Sequence, residues 1–239
     1  MTRKALPDEL SEELSDVELN NLHGADYAER FESRKNLDRL QNLLGHVVLP
    51  PACVVGDFGC GSAMVLEFLD RSRVKQYFGI DLSAPLLAKA EQRKQRLGFN
   101  QAELLQQSVQ DFCALRPGTL DMALCLDFSE HVYDQELLSI LRAIHASLKP
   151  GGVLYLHTPN AEFFVEIMKD RGFILKQFPE HVAVRNSRQQ SLLLQQSGFT
   201  NVEVGYLPHY NILRLLHPLS RVPWLGRFFK ARMFITATK

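Results

Sequence analysis

No apolar run in these 239 residues approaches the roughly 20 that a membrane-spanning helix requires. The stretch from Met1 to Asn20 is acidic rather than apolar, so it carries no secretory signal core and a cytoplasmic location is expected. Cysteine is scarce. The 4 residues, Cys53, Cys60, Cys113 and Cys125, form no C-x-x-C pair, which argues for reduced thiols serving as small apolar side chains rather than a disulfide scaffold or a thiolate metal site. Charge of neither sign is in excess, with 27 Lys and Arg against 27 Asp and Glu, so nothing draws the whole molecule to nucleic acid. Repeats and low-complexity tracts are missing. Acids are missing only locally: after Glu203 none opposes Arg214, Arg221, Arg227, Lys230, Arg232 and Lys239, while the start is crowded with Asp8, Glu9, Glu12, Glu13, Asp16 and Glu18.

What remains is a soluble-type chain, 46% hydrophobic and 23% charged, long enough to bury a sizeable core in one domain. Residues 1–24 read as an acidic arm, loose or forming a short helix. From Ala25 the spacing of Tyr27, Phe31, Leu37, Leu40, Leu43 and Leu44 predicts a helix that Gly45 stops. Strand and helix then alternate: strands over 52–58, 75–81, 103–107, 119–126 and 152–158, and helices over 63–71, 84–97 and 134–148. A helix over 187–197 follows, with strands over 201–207 and 233–238. This alternation predicts an α/β parallel sheet. Lys149-Pro150-Gly151-Gly152 reads as the turn between the helix at 134–148 and the strand at 152–158, with the glycines taking positive φ.

The segment VVGDFGCGSA, residues 54–63, carries the first chemical signal. A β-branched run ends at Gly56-Asp57-Phe58, Gly59 and Gly61 flank Cys60 in a tight turn, and Ser62 is placed to cap a helix beginning at Ala63. The helix N-terminus would aim backbone N–H groups at a ligand, but an acid beside it disfavours a phosphate and favours a cationic group. A second acid, Asp81, ends YFGID, where doubly wound folds hold a ribose hydroxyl pair. An amino-acid ammonium together with a ribose points to S-adenosyl-L-methionine. A nicotinamide-binding turn is the alternative, and it leaves the later motifs unexplained.

Taken with YFGIDLS, DMALCLDFSEHVYD and LKPGGVLYLHTPN, this segment resembles the class I S-adenosylmethionine-dependent methyltransferases. The likeness is greatest to the branch that includes ubiquinone-biosynthesis O-methyltransferases and bacterial sugar or lipid methyltransferases, and it covers about residues 27–207. It implies a Rossmann-like seven-strand, mostly parallel sheet with helices on both faces. It further implies that Asp57, Gly59, Cys60 and Gly61 hold the methionine end and Asp81 the ribose. Leu82 would lie against the adenine and Leu126 would present its backbone. Ala63 stands at the family's third small position, which is expected to need closeness and not positive φ. At the third strand Ser108 and Val109 occupy the adenine-contacting positions, with Asp111 the competing acid. Arg39 sits where relatives carry an arginine for the methionine carboxylate, with Arg30 and Arg34 as rivals. Tyr27 and Phe31 could close over the site or belong to the core.

CLDFSEHVYD follows the fourth strand, where this fold exposes its chemistry. Three readings stand for Glu130 and His131: general base, metal site, or a brace for the loop. His131 has an imidazole suited to proton transfer near neutrality. In some relatives an E-x-x-E-H cluster and a distant His bind a divalent metal, which here maps onto Asp127, Glu130, His131 and His181. The expected activity is O-methylation of a small-molecule, sugar or lipid/quinone-type acceptor. A degenerate cofactor-binding scaffold and an RNA-directed enzyme are the alternatives. Cap-like insertions are expected at about 160–186 and 209–230. The second interleaves apolar and basic residues, so it suits either a lid over the acceptor or a peripheral contact with a membrane.

Overall fold

The computed structural model describes residues 34–173 and 181–239. The acidic arm 1–24, Tyr27, Arg30, Phe31, the side chain of Arg34 and part of the 160–186 insertion lie outside the described residues. Helix α1 (Arg34–Leu44) ends where Gly45 was expected to stop it. Next come β1 (Cys53–Phe58), β2 (Val74–Asp81), α2 (Ala84–Leu97), β3 (Ala102–Gln106), α3 (Val109–Ala114) and β4 (Leu120–Leu126). They are followed by α4 (Asp134–Ser147), β5 (Leu148–Pro159), α5 (Phe164–Asp170), α6 (Ser187–Gln196), β6 (Thr200–Leu207) and β7 (Arg232–Thr238). The strands form a seven-stranded sheet in the order β3-β2-β1-β4-β5-β7-β6, in which β7 alone runs against its neighbours. This is the expected α/β architecture.

Two apolar clusters, one on each side of the sheet, explain why the central strands are apolar throughout. On one side Val55, Tyr77, Met122 and Leu124 pack with Leu40 and Leu43 of α1 and Ala90 of α2. On the other, Phe58, Ile80, Ala123 and Leu156 pack with Phe112 of α3, Leu137, Leu141 and Ile144 of α4, and Leu193 and Leu194 of α6. All 4 cysteines are buried free thiols, and burial pushes Cys53 up to about 12 and Cys113 up to about 11. They act as small core residues.

Several local expectations are corrected. The helix over 63–71 is only a 3-10 turn at Met64–Glu67. Ser62 does not cap it: its hydroxyl is buried without a partner among the described residues, and its carbonyl accepts from Arg93. Lys149-Pro150-Gly151-Gly152 is drawn into β5 as an irregularity beside β4, and only Gly151 of the pair takes positive φ. Short helices α3 and α5 were not expected. Six or seven residues are too few to show a helical period.

Candidate active site

The β1 turn is left-handed at alternate residues, with φ of 71° at Gly59, 54° at Gly61 and 51° at Ala63. Ala63 therefore does adopt positive φ, contrary to expectation, and this is what blocks a regular helix from starting there. Gly59 is required for a second reason: a Cβ there would meet Phe128 Cδ2 at 2.5 Å. Its hydrogen atom lets the β1 turn touch the loop after β4.

Beneath that turn Asp57 is 2% exposed and accepts a hydrogen bond from the Tyr77 hydroxyl at 2.6 Å. Burial pushes its carboxyl up to about 7 against the opposing effect of that bond. A cation is what this group needs to remain ionised. Asp81 sits at the end of β2 and accepts from the Gly61 N–H and the Ser83 N–H, each at 2.8 Å, so it ties the turn to the start of α2. Ser83 supplies the α2 cap itself, as expected. Leu82 is half-buried, and its carbonyl accepts from Gln106. At β3, Ser108 caps α3 and bonds Asp111 through both its hydroxyl and the Asp111 N–H, while Val109 is buried in the core. The two polar side chains of that pair are engaged with each other.

After Leu126, Asp127 takes a φ of 53° and parts from the Glu130–His131 pair with which it had been grouped. Its carboxylate binds Arg39 Nη2 at 2.7 Å, His157 Nδ1 at 2.9 Å and the Arg232 guanidinium. Against burial, the Arg232 and Arg39 guanidinium groups and the His157 hydrogen bond hold its carboxyl well below the usual range. His157 is pushed down to about 4, chiefly by burial, so it is neutral. With Arg232 Nε facing His157 Nε2 at 3.5 Å, the proton belongs on Nδ1, pointing to Asp127. Arg39 thus reaches the site from α1, but toward Asp127.

Glu130 and His131 lie in a 3-10 turn, Ser129–His131. Glu130 is 1% exposed, accepts from the Thr158 hydroxyl at 3.0 Å, and is pushed up to about 7 by burial and then by the charge of Asp127. His131 meets His181 edge to face, ring centres 5.3 Å apart. Burial holds His181 near 4. Donor atoms of Glu130, His131 and His181 lie within 4.8 Å of one another. The loop is fixed from outside: buried Arg185 donates to the carbonyls of Ser129 and Val132 and pairs with Asp134, and the Ala183 N–H donates to the Glu130 carbonyl. Sequence reasoning missed Tyr77, His157, Thr158, Arg185 and Arg232. Of these, Tyr77, His157 and Thr158 stood inside quoted motifs without being singled out, whereas Arg185 and Arg232 lay outside them.

A cavity of about 450 Å³ adjoins the Asp127 cluster, lined by Arg39 and His46 from the α1 side, His157 and Arg232 from the sheet, and Tyr210 and Arg214 beyond β6. It lies where β5 and β6 end and β7 begins.

A family model described as a methyltransferase domain matches residues 27–204. The chain is 39% identical over 122 residues to a ubiquinone biosynthesis O-methyltransferase of Xanthomonas campestris pv. campestris, an alignment covering 51% of this chain and 49% of that protein. It is 27% identical over 191 residues to the protein of that name from Vibrio parahaemolyticus, covering 77% and 76%. The chain thus matches about half the length of the Xanthomonas relative. Among solved structures, a SAM-dependent methyltransferase from Archaeoglobus fulgidus superposes with a TM-score of 0.67 at 16% identity, covering 89% of this chain and 98% of that one. The [4+2]-cyclase SpnF does so at 0.63 and 18%, covering 84% and 80%. At such identity the likeness concerns the fold alone, and the cyclase shows that this fold has more than one use.

Proposed function

The chain belongs to the methyltransferase-domain family, and from that premise we propose that it moves a methyl group from S-adenosyl-L-methionine to an oxygen of a small-molecule, sugar or lipid-type acceptor. One observation supports this most: two carboxylates, Asp57 and Asp81, close adjacent strands and are joined through the Gly59–Gly61 turn. The fit is chemical. A buried carboxyl raised to about 7 suits an ammonium, and Asp81, with one bond on each oxygen, keeps lone pairs for ribose hydroxyls. Leu82, Ser108 and Val109 would border the adenine, Leu126 would offer its backbone, and Arg39 would take the carboxylate end. When bound, this cofactor supplies a methyl group on a sulfonium sulfur.

The chain's own task is to hold the acceptor oxygen in line, exclude water and take its proton. His131 is the proton acceptor in this reading, with Glu130 beneath it and Arg185 holding the turn that carries both. A second reading has one observation behind it. Glu130, His131 and His181 are grouped closely enough to hold a divalent cation, which would lower the acceptor's pKa; Asp127, engaged by Arg39 and Arg232, would not join them.

Calorimetry should give micromolar binding of S-adenosylmethionine or S-adenosylhomocysteine. Binding of a nicotinamide dinucleotide instead would defeat the proposal. Transfer of labelled methyl to phenolic, sugar and lipid-linked acceptors separates an enzyme from a cofactor-binding scaffold. Chelator separates base from metal: activity that survives it and rises with pH through neutrality assigns the base, whereas loss restored by magnesium or manganese assigns the ion.

A further inference from the structure

Residues 210–225, between β6 and β7, expose apolar side chains in a way that the core cannot explain. The 3-10 helix Ile212–Arg221 has no fully buried residue. A 3-10 helix stacks residues three apart, so Ile212, Leu215 and Pro218 form one outward row, and Ile212 and Leu215 are 77% and 69% exposed. Trp224 follows at φ 69° and is 94% exposed, with Val222 and Leu225 also on the surface. The inward side is anchored. Leu213 packs against Phe163, Val165 and Ala231, and Phe229 meets Phe164 with ring centres 5.9 Å apart, while the segment closes on itself where a Cβ on Gly226 would meet the Ser220 carbonyl oxygen at 2.3 Å. The segment is therefore held to the body on one side and leaves its apolar row outside.

We propose that this row docks the protein onto an anionic bilayer. Charge selects the occupant: Arg221 continues the apolar row one step beyond Pro218, Arg227 is exposed just after Trp224, and no acid occurs between Glu203 and Lys239. Such a surface matches acyl chains beneath anionic headgroups, with an indole at the interface. Tyr210 and Arg214 also line the cavity beside Arg39, so the docking face and the cavity are neighbours. An acceptor carried in the bilayer is the substrate class this arrangement serves. That last step rests on the methyl-transfer reading, whereas docking itself does not.

Trp224 is the one tryptophan of the chain and reports directly. With vesicles containing phosphatidylglycerol at low salt, its emission should shift to the blue and the protein should sediment with the lipid. Each basic residue near such a surface is worth about fivefold in partitioning, so Arg221→Glu with Arg227→Glu should weaken binding by at least about 30-fold, as should raising salt. Leu215→Glu should weaken it without altering circular dichroism. No shift and no sedimentation at any salt would overturn the proposal, as would a salt-insensitive dimer that buries Trp224 without lipid. Because neither cofactor nor turnover enters the assay, failure here is separable from failure of the methyl-transfer reading.

Discussion

Glu130 and Asp57 are carboxyls kept near neutrality by burial, and both leave a measurable mark on pH dependence. For Glu130 the folded value, about 7, lies above the ordinary 4.5, so the folded state binds the proton more tightly. Its contribution to stability is full below 4.5 and is lost as pH rises through about 7. Glu130→Gln should therefore melt like the wild type at pH 5 and several degrees higher at pH 8, while methyl transfer falls. Equal melting points at both pH values would show that Glu130 is not held protonated. Asp81→Ala should weaken cofactor binding by about 1.5 to 3 kcal/mol, roughly 10- to 100-fold, because a charged acceptor is lost. An unchanged dissociation constant would leave Asp81 as a backbone tie only. Asp57 and Asp81 were legible in the sequence because each closes an apolar run, and Glu130 because it stands beside a histidine just past the fourth strand. Tyr77 was not, since its hydroxyl reaches Asp57 from the neighbouring strand and its ring reads as one more core aromatic.

Among the elements, the strands were easily read and the turn after β1 was misread for a definite reason. Val54 and Val55 announce a strand by type, whereas the handedness of Ala63 depends on how the glycines before it turn the chain. Left-handed backbone costs an alanine about 1 to 2 kcal/mol, so Ala63→Gly should leave stability unchanged or raise it. Ala90→Gly, inside α2, should cost about 1 kcal/mol or more. Equal losses in urea denaturation would refute the left-handed assignment at Ala63. Gly59→Ala should displace Phe128 and reduce cofactor affinity at least tenfold, since the β1 turn and the β4 loop could no longer touch.

Across the whole molecule, Asp127 is the point at which distant parts of the chain meet: Arg39 from α1, His157 at the end of β5 and Arg232 at the start of β7. None of these links could be read from spacing, because Arg232 looked like one more basic residue in a basic tail. One carboxylate between two guanidinium groups holds α1 and the last strand to the centre of the sheet. Asp127→Asn keeps a residue type that tolerates positive φ and removes only the charge, leaving the two arginines facing each other; the expected cost is about 3 to 5 kcal/mol. Arg232→Met should cost less, since Asp127 retains Arg39. In the double variant one unpaired cation replaces two, so its loss should fall short of the sum of the single losses. Additive losses in urea denaturation would mean that the contacts do not act as a unit. Because the Asp127 carboxyl is held well below 3.8, its stabilisation is complete above that pH and disappears only as acid reaches the lowered value. Being buried, the cluster should also respond little to added salt, in contrast to the exposed arginines of residues 210–230.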